Sequence, residues 1–159
     1  MLFQLKYAMK RHPALYTISH DHHQGLILAQ QLKKGTPQYK GMPSSLTAKK
    51  DYTLSFYRNE LVKHFKDDEE ILFPSVHKKN ETIDKLIIEI ISEHRKMENL
   101  VSELDKTAHL ENILDELGVL LEKHIRKEER ELFIEIEKIL SDDELKTISK
   151  KISESRKGK

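Results

Sequence analysis

The chain has 159 residues and no cysteine, which removes disulfide staples, thiolate zinc sites, iron-sulfur ligation and cysteine nucleophiles and leaves chemistry to its histidines and carboxylates. Twenty-eight Lys+Arg against twenty-seven Asp+Glu leave a formal net charge of +1, so no general polyanion-attracting field arises and nucleic acid is not expected as a partner. The length suits a single domain over residues 1–159. The opening MLFQLKYAMKRHP is too short and too interrupted by charge for a secretory leader, and no later apolar run approaches the length of a bilayer span. A cytoplasmic protein with no membrane partner is expected.

Five glycines and four prolines leave few places to break structure, and they divide the chain into long periodic segments. The first helix is expected from near Pro13, a first-turn residue, to Gly35, with Leu15, Ile18, His22, Leu26, Ala29 and Leu32 inward. GTPQYKGMPSS, from Gly35 to Ser45, has no periodicity and reads as a loop. A second helix runs from about Leu46 to Phe73 and stops at Pro74, with Leu54, Tyr57, Leu61, His64, Asp68 and Ile71 on one stripe. A third carries Ile87, Ile90, Ile91, His94, Met97, Val101 and Leu104 and ends near Lys106. The fourth, from about Leu110 to Leu140, carries Leu114, Leu117, Leu121, His124, Glu128, Leu132, Ile136 and Ile139. SDDE at Ser141 to Glu144 is a capping box opening a short final helix, about 142–155, with Leu145, Ile148 and Ile152 inward, followed by a basic tail.

Short connections favour antiparallel neighbours, so the fold class is all-α: an up-down-up-down four-helix bundle over about 13–140 with an extra C-terminal helix. That last helix is expected to pack on the bundle or on a second copy in a homodimer. Each long helix carries one histidine in its apolar stripe, and the second and fourth follow theirs with an acid at i+4, on the same face. A lone histidine on a helix face is more often a core residue than a ligand. Here four coincide with two carboxylates, and no Lys or Arg lies in the stripes to compensate them. Burying bare carboxylates costs several kcal/mol each, on the order of the effective penalty for a desolvated ion, so a divalent cation is expected. The donor set suits iron, zinc or manganese, and six ligands exceed what one tetrahedral zinc needs. Two metals bridged by the carboxylates fit the count.

The order H…HxxxD/E…H…HxxxE, with HFKDDEEILFP from His64 to Pro74 and HIRKEERELF from His124 to Phe133, resembles the hemerythrin-like (HHE cation-binding) domains. The resemblance covers roughly Ile18 to Phe133. It implies an oxo- or hydroxo-bridged centre of two Fe ions, with Zn or Mn as alternatives. Position by position it implies His22, His64 and Asp68, His94, and His124 with Glu128 as metal ligands. Glu69 rivals Asp68, since the family usually has Glu at that place. His23 and then His20 rival His22 in the run HDHH. Glu98 stands where oxygen carriers of the family have a second histidine, and it is added to the candidate ligands, able to bind a metal directly, to hydrogen-bond a group that does, or to accept a proton. Aligning His22 with His94 pairs Asp21 with Glu93, so the helices read as two quasi-equivalent hairpins. The acids Asp67, Glu70, Glu129 and Glu131 read as solvated, and Tyr57 and Glu60 as packing and surface residues within reach of an outer shell.

The resemblance implies a non-haem metal protein that binds or senses a small diatomic ligand, O2 or NO, or iron itself. Two other readings remain open: a redox enzyme handling peroxide or NO or aiding iron-sulfur cluster repair, and a helical interaction module with a degenerate site.

Overall fold

A computed structural model describes residues 11–158, so the opening stretch read above lies, up to Lys10, outside the described residues. Within them there are five helices and no strand. α1 begins as a 3-10 turn at Pro13–Leu15 and continues as an α-helix over Tyr16–Leu32. His12 caps it, its Nδ1 accepting from the Ala14 N–H at 3.1 Å. A loop that includes positive-φ Gly35 and Gly41 leads to α2, residues 46–76, which opens on a Ser45 cap. α3 is Glu81–Glu103, capped by Asn80. α4 spans 110–139, and α5 is Asp142–Lys157, opened by the expected Ser141/Glu144 capping box. No helix among the described residues is long and apolar enough to cross a membrane.

α2 and α4 are not regular. π turns interrupt α2 at Tyr57–Leu61 and Asp68–Leu72, and α4 at Glu128–Leu132. A π turn inserts one residue and rotates everything after it. In α2 the rotation puts Leu72 and Phe73 in the core and leaves Ile71 only partly buried, where strict periodicity placed Ile71 inward. It also corrects the expected stop at Pro74. Just before the proline the α2 ladder shifts to a π-type bond, Phe73 N–H to the Asp68 carbonyl, and Pro74 sits exposed in the first turn of a further α-helical segment, Phe73–Val76.

α1 lies along α4, and α3 packs against α4. The first contact is close because Gly118 has no side chain: a Cβ there would stand 2.8 Å from the Ala29 carbonyl oxygen and 2.9 Å from the Leu32 Cβ. The apolar interior forms two separate clusters. One holds Leu15, Ile18, Leu72, Phe73, Ile90, Leu132 and Phe133 and is closed by Leu145, Ile148 and Ile152 of α5. The other holds Leu28, Leu61, Phe65, Met97, Leu117, Leu121 and Ile125. The inward histidines and acids come between these clusters along all four helices.

Candidate metal centre

Four imidazoles and two carboxylates meet in this polar layer, none more than 3 % exposed. His22 and His64 bring their rings to 4.7 Å between centroids, and His94 and His124 theirs to 4.8 Å. Glu128 spans the two pairs. Its Oε2 is 3.1 Å from His22 Nε2, and its Oε1 is 3.2 Å from His124 Nε2 and 4.0 Å from His94 Nε2. Asp68 faces one histidine of each pair through Oδ2, 3.3 Å from His64 Nε2 and 3.7 Å from His94 Nε2. Two groups, His22/His64/Glu128 and His94/His124/Glu128, have ligand atoms within 4.8 Å of one another and could each hold a metal ion.

Nε2 of His22 and Nε2 of His64 stand 3.1 Å apart, within hydrogen-bond distance, and the other inward atoms converge without pairing. Both oxygens of Asp68, both of Glu128, and Nε2 of His94 and His124 are buried and make no hydrogen bond. Buried polar atoms are rarely left so, because each one unmade costs about 1–3 kcal/mol.

The outer nitrogens are all engaged. Nδ1 of His22 donates to Glu129 at 2.6 Å, that of His64 to Asp21 at 3.0 Å, that of His94 to Glu69 at 2.8 Å and that of His124 to Glu93 at 3.1 Å. A carboxylate only accepts, so each Nδ1 carries the proton and each Nε2 is left to face the centre, the tautomer a metal requires. The four bonds close a ring: Asp21 of α1 holds the histidine of α2, Glu69 of α2 that of α3, Glu93 of α3 that of α4, and Glu129 of α4 that of α1. Behind each acid stands a cation. Arg156 reaches Asp21 at 2.6 Å, Lys127 reaches Glu93 at 2.5 Å, Arg11 reaches Glu129 at 3.1 Å, and Arg95 pairs with Glu69.

Without a metal, protons take its place. Burial opposes a charged His22, but Glu128 and Glu129 outweigh it and raise its pKa to about 9. His124 is likewise raised, Glu128 and Glu93 overcoming burial. Burial, with the nearby His124 charge, pushes His94 down to about 2, and burial lowers His64 despite Asp21. Burial and the neighbouring Glu128 charge push Asp68 well up, while Glu128, against burial, is held well down by His124 and His22.

Of the residues singled out in the sequence, the structure brings together His22, His64, Asp68, His94, His124 and Glu128. His20 and His23 are exposed. Glu69 turns outward, to His94 Nδ1. Glu98 is not brought into the group: its carboxylate accepts from Arg95 at 2.5 Å, about a third exposed. Glu60 pairs with Lys63. Glu129 and Asp67, read as solvated acids, instead hold His22 and the α5 pair Ser155/Arg156. The sequence did carry a signal for the ring, since an acid directly precedes His22 and His94 and directly follows Asp68 and Glu128.

The model of the hemerythrin HHE cation binding domain matches residues 13–136. The chain belongs to this family. No curated protein and no solved structure gives a significant match. The matched segment of this hemerythrin HHE domain contains all four histidines and both acids of the layer, and leaves α5 outside. The family binds metal cations, and the donors here fit one: imidazole nitrogens of fixed tautomer and carboxylate oxygens lacking any other partner.

Proposed function

We propose that the protein is a non-haem di-iron hemerythrin-like protein that binds or senses a small ligand, O2 or NO, or iron itself. Its helices 13–139 are read as an up-down-up-down bundle, and His22, His64, Asp68, His94, His124 and Glu128 as the metal ligands. Glu128, with one oxygen toward each histidine pair, and Asp68, facing one histidine of each, are the carboxylates that two metals would share. Glu98 is left out, engaged with Arg95 at the surface.

The observation that carries the reading is the set of buried inward atoms of Asp68, Glu128, His94 and His124 that make no hydrogen bond, with each histidine committed at Nδ1 to a carboxylate. Two histidines and two shared carboxylates per metal fill fewer positions than an octahedral ion offers. A di-iron pair bound there would supply one- and two-electron chemistry toward a diatomic molecule. The chain's own part is to fix the imidazoles, to keep water out with the two apolar clusters, and to hold charge balance through Asp21, Glu69, Glu93 and Glu129. A narrow cleft lined by Gln24, Gly25, Phe56 and Glu60 reaches His22 and His64 and suits only a small ligand.

The test is metal content per chain in protein purified without added metal, together with its visible spectrum in air and after anaerobic reduction and exposure to O2 or NO. Two irons per chain with charge-transfer bands that answer either gas are expected. A single zinc, or no metal with the helices intact, would contradict the reading.

A further inference from the structure

α5 lies beyond the segment that the family model matches, yet it supplies one of the four cations behind the histidine ring. Arg156 lays its guanidinium across two acids from two other helices. Nη2 and Nη1 donate to Asp21 at 2.6 and 3.2 Å, and Nε donates to Asp67 at 2.8 Å. Ser155 adds a hydroxyl donor to Asp67 at 3.2 Å. Asp67 is 2 % exposed and directly precedes Asp68, so undocking α5 would leave a buried carboxylate unpaired beside a bridging acid. Asp21 in turn takes the Nδ1 proton of His64. The remaining cations differ in origin: Arg95 and Lys127 adjoin ligands on the ligand-bearing helices themselves, and Arg11 lies two residues before the start of α1. Leu145, Ile148 and Ile152 seat α5 on the apolar cluster next to the metal layer, so the fork of Arg156 arrives on a packed helix.

We infer that Arg156 is a positioning residue through which α5 clamps the His22/His64 half of the metal centre. The inference rests on the metal reading above. The route is α5 to Asp21 to His64 Nδ1, with Asp67 as a second anchor, and it leaves the His94/His124 half untouched. Coupling of this kind is reciprocal: whatever α5 docking adds to metal affinity, metal binding returns to α5 docking. Partners that orient a ligating imidazole are worth about 10–100-fold in metal affinity, and Arg156, one step further out, is expected at about tenfold.

Zinc serves as the probe, because it leaves histidine ring signals visible by NMR and each half can be followed separately. In the full chain, Arg156→Gln should weaken zinc at His64 about tenfold and spare His94 and His124. Arg95→Gln, which removes the cation behind Glu69, should do the reverse. Arg156→Lys, keeping charge but losing the two-acid fork, should recover part of the loss. Amide exchange in α5 should slow on zinc loading in the unsubstituted protein and not in Arg156→Gln. Unchanged zinc binding in Arg156→Gln, equal weakening of both halves, or α5 exchange indifferent to zinc would each overturn the clamp while leaving the metal reading in place. An unsubstituted protein that binds neither zinc nor ferrous iron would overturn the metal reading, and the clamp with it.

Discussion

Glu129 accepts the Nδ1 proton of His22 at 2.6 Å, while Glu128, the residue before it, approaches Nε2 of the same ring at 3.1 Å. One imidazole is thus held from both sides by consecutive acids, which a π turn beginning at Glu128 displays toward α1. Removing the outer acid should therefore act on the inner site. Glu129→Ala is expected to lower metal affinity by about 10–100-fold. Glu98→Ala should leave it unchanged, since Glu98 is engaged with Arg95 at the surface. Chelator competition on the two variants measures both.

The two inner acids carry opposite protonation in the metal-free protein, Asp68 being pushed toward the acid form and Glu128 toward the carboxylate. Asp68→Asn is then close to an isostere of what is already there and should leave metal-free stability nearly unchanged. Glu128→Gln removes the counter-charge shared by His22 and His124 and should cost about 1–3 kcal/mol. Urea unfolding of the metal-stripped variants separates them, and both should bind metal more weakly.

Metal has to displace protons from His22, His124 and Asp68, so loading should release protons and affinity should rise with pH. Calorimetry in buffers of different ionisation enthalpy counts them. Stability of the metal-free form follows from the same shifts. His22 has a folded value of about 9 against an ordinary 6.5, so its contribution is full below 6.5 and is lost as pH rises through about 9. His94, depressed to about 2, works the other way: below 6.5 the unfolded chain takes a proton that the folded chain refuses. Metal-free stability should decline on both sides, and the alkaline decline should disappear in metal-loaded protein.

Gly118→Ala tests the approach of α1 to α4. Its Cβ would press on the backbone oxygen of Ala29, which cannot yield, at a cost of about 1–3 kcal/mol. Gly25→Ala meets only the Cδ1 tip of Ile125, at 2.8 Å, and should cost less. Thermal melts of the two variants make the comparison.

The inward layer was legible because burial and metal binding make the same demand on a helix, an inward stripe, and His22, His64, His94, His124 and Glu128 all fall on one. That Asp68 rather than Glu69 faces inward followed from the same geometry. Glu69, Glu93, Asp21 and Glu129 were harder to read. A residue next to a ligand is turned about 100° around a 3.6-residue helix, onto the seam between neighbouring helices. Acids on a seam resemble solvated acids until the neighbouring helix is in place. Arg156 was less legible still, since its partners lie more than eighty residues away. The π turns left no hydropathy signature, which is why Ile71 was read inward where Leu72 and Phe73 are buried.

X-ray absorption at the iron edge of iron-loaded protein tests the central claim most directly, that this layer of inward acceptors is a shared two-metal site. The expected result is two irons per chain, an average of two imidazole nitrogens on each, and metal-metal scattering that disappears in Glu128→Gln. Isolated single irons, or a spectrum unaffected by Glu128→Gln, would contradict it.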